Sequence, residues 1–154
     1  MNQRWYKRWM EKAQQFADWS KDTSTQVGCV IVDNDNRLVS QGYNGFPCGV
    51  VDTIPARYDR PLKYMYTEHA ERNAIYNAAL MGTSTKNCYM FTQLFPCVDC
   101  ARGIIQSGIH TLVTYEPDFT HHKYAESWKV AIEILTESGV NIVYLDKEDL
   151  FENI

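Results

Sequence analysis

Long apolar runs are missing from this chain. None approaches the roughly 18 residues a helix needs to cross a bilayer, so no helical membrane span is expected. Met1-Asn2-Gln3-Arg4 leads into mixed aromatic and charged residues and not into an apolar segment, so no secretory leader is expected and a cytoplasmic location is. A basic surplus is missing as well: 15 Lys and Arg stand against 19 Asp and Glu, a net charge of -4. Proteins whose main partner is a nucleic-acid backbone carry a basic face. The balance therefore favours a small-molecule substrate over nucleic acid. Cysteine is sparse and odd in number, with Cys29, Cys48, Cys88, Cys97 and Cys100, which argues against a disulfide framework. Internal repeats and low-complexity tracts are absent. What remains, 154 residues of which 45% are hydrophobic, suits one domain spanning residues 1–154 with a sizeable core.

Within that chain the periodicities alternate. Trp5, Trp9, Ala13 and Phe16 recur at helical spacing, so the segment from Asn2 to about Ser20 is expected to be an amphipathic helix packed on a sheet. The bases interleaved with its aromatics fit the wet face of that helix better than a nucleic-acid or membrane patch. Val27–Val32 and Leu38–Gly42 read as strands joined by the turn Asp33-Asn34-Asp35-Asn36. Cys29 and Cys88, in apolar runs, are expected to be buried small hydrophobes. A glycine-rich loop, Gly42 to Gly49, leads into a connection reaching about Tyr66. A connection that long inside a compact domain is usually functional or an interface. Beyond it the spacing predicts a helix over Glu68–Met81, a strand over Cys88–Thr92, and a helix over Cys97–Ser107. A strand over Thr111–Tyr115, a helix over Tyr124–Glu137 and a strand over Val140–Leu145 complete the order. A helix between the last two strands implies a parallel crossover, and the whole reads as a mixed sheet flanked by helices.

The chemistry concentrates in two short stretches. Thr67-Glu68-His69-Ala70-Glu71 and Pro96-Cys97-Val98-Asp99-Cys100 together offer one imidazole and two thiolates as metal ligands. Three protein ligands leave the fourth tetrahedral position of a zinc ion open to water, as in catalytic sites. Successive helical residues lie about 100° apart, so His69 and Glu71 can converge on one centre only at a helix start. Each stretch opens a predicted helix, whose N-terminus favours thiolates. Glu71 is the carboxylate placed to move protons, taking one from water and returning it to the leaving group. Glu68 reads as a solvated carboxylate on another face. Asp99 either lines the site or favours the helix start electrostatically. His121-His122, with no accompanying cysteine or carboxylate, read as solvated or substrate-facing.

His-x-Glu followed by Pro-Cys-x-x-Cys is the known signature of zinc nucleobase deaminases. With the Gly42-Tyr43-Asn44-Gly45 loop, the long connection and TEHAERNAIYNAA, the chain resembles the deoxycytidylate (dCMP) deaminases of the cytidine deaminase superfamily from Val27 to Val143. The resemblance implies an α/β class fold, the three-layer α/β/α sandwich with a five-stranded mixed sheet, assembled as a homo-oligomer, a hexamer or a dimer. It implies zinc-dependent conversion of dCMP to dUMP and ammonia, feeding thymidylate synthesis. Zinc would sit on His69, Cys97 and Cys100, with Glu71 as proton shuttle. Asn44 would meet the sugar hydroxyl and the Ala70 backbone the base, with Asp99 and Phe119 also at the substrate. The family adds activation by dCTP and inhibition by dTTP, with Mg2+ on the triphosphate, at a site involving Gly42, Tyr43 and Gly45. These glycines serve equally well as a tight turn needing positive φ. One departure stands out: Glu116 and Asp118 are acidic in the loop expected to help hold a phosphorylated substrate. Rival readings are another zinc nucleoside, base or tRNA adenosine deaminase, and a non-catalytic nucleotide sensor. The sensor would be expected to lose Glu71 or gain a fourth protein ligand.

Overall fold

The first strand, β1 (Gly28–Val32), is buried at every residue, as its unbroken apolar sequence requires of a central strand. In the computed structural model, which describes residues 1–120 and 122–147, it pairs antiparallel with β2 (Leu38–Tyr43) on one side and β3 (Tyr89–Thr92) on the other. The turn between β1 and β2 is closed by the Asp33 carboxylate, which accepts from the backbone N–H of Asp35 and Arg37 at 2.9 Å each. Asn36 sits there at a φ of 62°. Beyond β3, the strands β4 (Thr111–Tyr115) and β5 (Asn141–Leu145) add in parallel, giving the order β2-β1-β3-β4-β5. The crossovers that parallel pairing demands are made by α4 (Val98–Gln106) and α5 (His122–Glu137). The mixed five-stranded sheet and its parallel end match the expectation.

Helix α1 (Gln3–Ala17) covers one face of the sheet, and α3 (Ala70–Leu80), α4 and α5 cover the other. That makes the three layers. α1 starts on an Asn2 cap whose side chain accepts from the Trp5 N–H at 3.2 Å. Its fully buried residues are Met10, Ala13 and Ala17, while Trp9 and Phe16 flank them half-buried. The apolar stripe is thus rotated from the expected Trp5-Trp9-Ala13-Phe16 line, because small residues let α1 come close to β1. Gly28 shows how close: a Cβ there would lie 1.9 Å from the Ala13 carbonyl oxygen. The opposite face repeats the device, since a Cβ on Gly42 would lie 2.5 Å from the Ala70 oxygen and from the Ala74 nitrogen. Gly42 and Gly45 are therefore not positive-φ turn residues, which corrects the turn reading; Gly49, at a φ of 82°, is one. Gly42 is needed for contact with α3.

Cys29 and Cys88 are buried, as expected, and Cys48 is exposed. The long connection carries a 3-10 turn (Pro55–Tyr58) and a short helix, α2 (Lys63–Tyr66). Among the described residues no helix is long and apolar enough to cross a membrane. His121 lies outside the described residues.

Candidate active site

The sequence places His69 and Cys97 just outside the helices they introduce. Both are N-caps in extended conformation, heading α3 and α4 respectively, and neither side chain caps its own helix. Each is left for another partner. His69 Nδ1 lies 3.4 Å from Cys97 Sγ and 3.5 Å from Cys100 Sγ. Tetrahedral bonds of zinc to nitrogen and sulfur put those atoms about 3.6 Å apart. All three ligand atoms lie within 4.8 Å of one another, the one such group of three among the described residues. Donor type, number and spacing fit zinc. Glu71, the second residue of α3, is 4% exposed beside this group. The looser geometry of a helix start is what lets His69 and Glu71 converge.

The electrostatics follow from crowding. The Cys97 thiolate is held down at about 3 by the hydrogen bond from the Cys100 thiol, against the effect of burial and with help from His69. Cys100 is pushed up by donating that bond, and by burial. The sulfur pair thus carries negative charge at neutral pH, ready for a cation. The hydrogen bond to Cys97 raises His69. Burial raises Glu71, with His69 opposing, so its carboxyl holds a proton more readily than a surface glutamate.

Glu68 departs from expectation. It precedes α3, and its carboxylate accepts from the His69 N–H at 3.0 Å and from the Arg72 guanidinium, so it is half-buried and paired, not solvated. Arg72 had escaped sequence reading. Its charge is reinforced by the two sulfurs and Glu68 against the opposing effect of burial.

His69, Glu71 and Cys97 line a cavity enclosing about 690 Å³ of atom-free space, counting that open to solvent. Asn44 and Ala70 also line it. Asn44 is 7% exposed; its Oδ1 accepts from the Val27 N–H and its Nδ2 donates to the Thr25 carbonyl, both at 2.8 Å. Asp99 is placed elsewhere. Its exposed carboxylate pairs with Arg102 and faces Arg72 at 4.0 Å, and it is not among the described lining residues, so its reading as a substrate contact finds no support. Phe119, exposed and not among the described lining residues, lies edge-on to Trp128 at 6.4 Å between ring centroids. Glu116 and Asp118 are also absent from the described lining, and Asp118 accepts from the Thr120 N–H and hydroxyl.

Sequence reading missed the far wall. Lys63 and Asp22, 7% and 6% exposed, form an ion pair at 2.7 Å that lines the cavity. Asp22 also accepts from the Ser24 and Thr25 N–H groups, and Thr25 in turn holds Asn44. Trp128 closes another side, donating from its indole to the Phe95 carbonyl at 3.0 Å. The one local clue was the Asp22-Thr23-Ser24-Thr25 turn composition; nothing adjacent pointed 41 residues onward to Lys63. Gly42, Tyr43 and Gly45 line a separate recess with Trp19 and Phe46.

A zinc-dependent hydrolase of the deaminase type is what this sheet and this site define. The family model for the cytidine and deoxycytidylate deaminase zinc-binding region matches residues 3–116, and the chain belongs to that family. It is 38% identical over 148 residues to an uncharacterized deaminase from the luxG 3' region of Aliivibrio fischeri, covering 94% of this chain and 96% of that one. It is 40% identical over 128 residues to human deoxycytidylate deaminase, covering 80% and 68% of the respective chains. In fold it matches the dCMP deaminase of cyanophage S-TIM5 in complex with dCMP and dUMP. That match has a TM-score of 0.77 over 94% of this chain and 99% of that one, at 23% identity.

Proposed function

We propose that the protein hydrolyses dCMP to dUMP and ammonia in the cytoplasm, supplying dUMP for thymidylate synthesis. The observation that carries this reading is the buried Glu71 beside the His69, Cys97 and Cys100 group, with His69, Glu71 and Cys97 lining a cavity. The human relative named for this activity and the five unpaired cysteines of a reducing compartment support it. A zinc ion held by the three ligands supplies Lewis acidity that makes water a nucleophile near neutral pH.

The chain's own residues do the rest. Glu71 accepts a proton from the water as its oxygen bonds to C4 of the cytosine, and delivers it to N3. A second proton passes through the same carboxylate from the added hydroxyl to the amino group. The C4–N bond then breaks and ammonia leaves. A carboxyl raised by burial suits both accepting and returning the proton. Asn44 keeps one amide hydrogen beyond its two wall contacts, available to a sugar hydroxyl. Ala70 presents backbone beside the base.

Regulation by dCTP and dTTP, with Mg2+ on the triphosphate, belongs to the same reading. What supports it is the second recess at Gly42, Tyr43 and Gly45. Assembly as a homo-oligomer is supported by Leu80 and Met81, which stand 84% and 78% exposed at the end of α3. The test is ammonia release from dCMP, CMP, dCTP, deoxycytidine and adenosine, with and without dCTP and dTTP, alongside light scattering. Selective turnover of dCMP is expected. Turnover of adenosine or of unphosphorylated deoxycytidine in preference to dCMP would overturn the reading.

A further inference from the structure

Glu68 is anchored by its backbone before its side chain acts. Its N–H donates to the Gly45 carbonyl at 2.8 Å, and its own carbonyl accepts from the Gly45 N–H at 3.0 Å, an isolated bridge between the glycine-rich loop and the approach to α3. From that fixed origin one carboxylate oxygen, Oε1, meets three nitrogens: the His69 backbone N–H at 3.0 Å, and Nε and Nη2 of Arg72. Glu68 and Arg72 are four residues apart, the favoured order for a helical pair, and such a pair usually steadies no more than its own helix. This one reaches further. Its side chains are only 20% and 23% exposed, and the Arg72 stem lies against α4, where a Cβ on Gly103 would stand 3.7 Å from Arg72 Cγ. The remaining nitrogen, Nη1, faces Asp99 Oδ2 at 4.0 Å, while Arg102 holds the other Asp99 oxygen.

The two ends of this run of contacts are the two halves of the metal group. Glu68 directly precedes His69, and Asp99 stands between Cys97 and Cys100. His69 and Cys97 are 28 residues apart, so the ligand set exists only while α3 and α4 keep their mutual position. We infer that Arg72, seated on Glu68, is a positioning residue for the metal, a clasp that fixes the His69 end of α3 against the Cys97–Cys100 end of α4 at the spacing zinc requires. Charge alone would act the other way, because a cation beside a dication weakens its binding. Glu68, shared with Arg72, offsets that repulsion. What the site uses is the planar fork, whose three nitrogens reach two carboxylates on two segments. The inference rests on reading His69, Cys97 and Cys100 as zinc ligands and on no property of the substrate.

The test uses the full zinc-loaded chain, equilibrated against a chromophoric chelator of known zinc affinity. Arg72→Met keeps the stem on Gly103 and removes the fork, so its zinc dissociation constant rises about tenfold to a hundredfold, the range that groups orienting metal ligands carry. Arg72→Lys keeps the charge without the fork and loses nearly as much. Asp99→Asn, at an exposed position, weakens zinc in the same direction by less. Melting with and without zinc separates positioning from general stability. The rise in melting temperature that zinc produces is smaller in Arg72→Met than in the wild type, whereas a general loss of stability lowers both values and leaves the rise as it was. Wild-type affinity in Arg72→Met or in Asp99→Asn, or full recovery in Arg72→Lys, overturns the clasp. A wild type that holds no zinc refutes the metal group and the clasp together; a zinc-holding wild type with unaltered variants refutes the clasp alone.

Discussion

The two walls of the cavity are built on opposite plans. The metal wall comes from two helix starts, His69-Ala70-Glu71 and Cys97-Val98-Asp99-Cys100, where each functional group lies within three residues of the next in its stretch. The far wall comes from Asp22, Thr25, Asn44 and Lys63, which are tied by an ion pair and by hydrogen bonds through the Thr25 backbone. The first arrangement encodes a reaction in local backbone geometry. The second encodes the shape of the cavity in tertiary contacts, and its energy belongs to folding.

If the metal wall carries the chemistry alone, the largest effect lies there. Glu71→Gln keeps the shape and removes the proton shuttle, so kcat on dCMP should fall about a thousandfold to ten-thousandfold, by coupled ammonia assay. Zinc content by atomic absorption should stay near that of the wild type, since none of the three ligands is touched.

The far wall should answer in stability first. Lys63→Met strands the buried Asp22 carboxylate, which should cost about 3–5 kcal/mol in urea unfolding. Asp22→Asn in the same chain should recover part of that loss, because the stranded charge is then gone. A loss of the full amount in kcat with stability intact would erase the distinction between the walls.

Gly42→Ala couples the two. Its Cβ meets the Ala70 oxygen and the Ala74 nitrogen, so α3 must shift. About 1–3 kcal/mol of stability should go, together with activity, because His69 and Glu71 move with the helix.

The smallest effect is set by pH. Burial pushes the Asp22 carboxyl up, but the hydrogen bonds from Lys63, Ser24 and Thr25 outweigh it and lower it from 3.8 to about 2. A carboxyl lowered in the fold contributes stability that is whole above its unfolded value and lost as pH falls through its folded one. The wild type should thus lose about 2 kcal/mol between pH 4 and 2. Asp22→Asn should lack that component, as followed by thermal melts across the range.

The same contrast explains what could be read in the sequence. The sheet was legible because β1 is apolar without interruption, β4 is made of β-branched, aliphatic and aromatic residues, and the Asp33–Asn36 turn is unambiguous. The metal group was legible because its spacing makes sense only at a helix start. Glu68 was misread because its partner, Arg72, is a neighbour only once α3 has formed and the Glu68 side chain turns back along it. Lys63 and Asp22 were invisible because no local pattern distinguishes a buried lysine from a surface one, and burial is decided by packing. Of the two readings offered for Asp99, its place among Arg72 and Arg102 at the start of α4 favours the electrostatic one. Lying between two ligands in sequence, it is exposed and not among the described lining residues, since the residue between two groups on one helix face occupies another.

The most direct test of the account is dCMP turnover by wild type and Glu71→Gln on samples whose zinc content is measured at the same time. About one zinc per chain is expected in both, with ammonia and dUMP formed in equal amounts by the wild type alone. Comparable turnover by the zinc-loaded Glu71→Gln variant, or none by the zinc-loaded wild type, would contradict it.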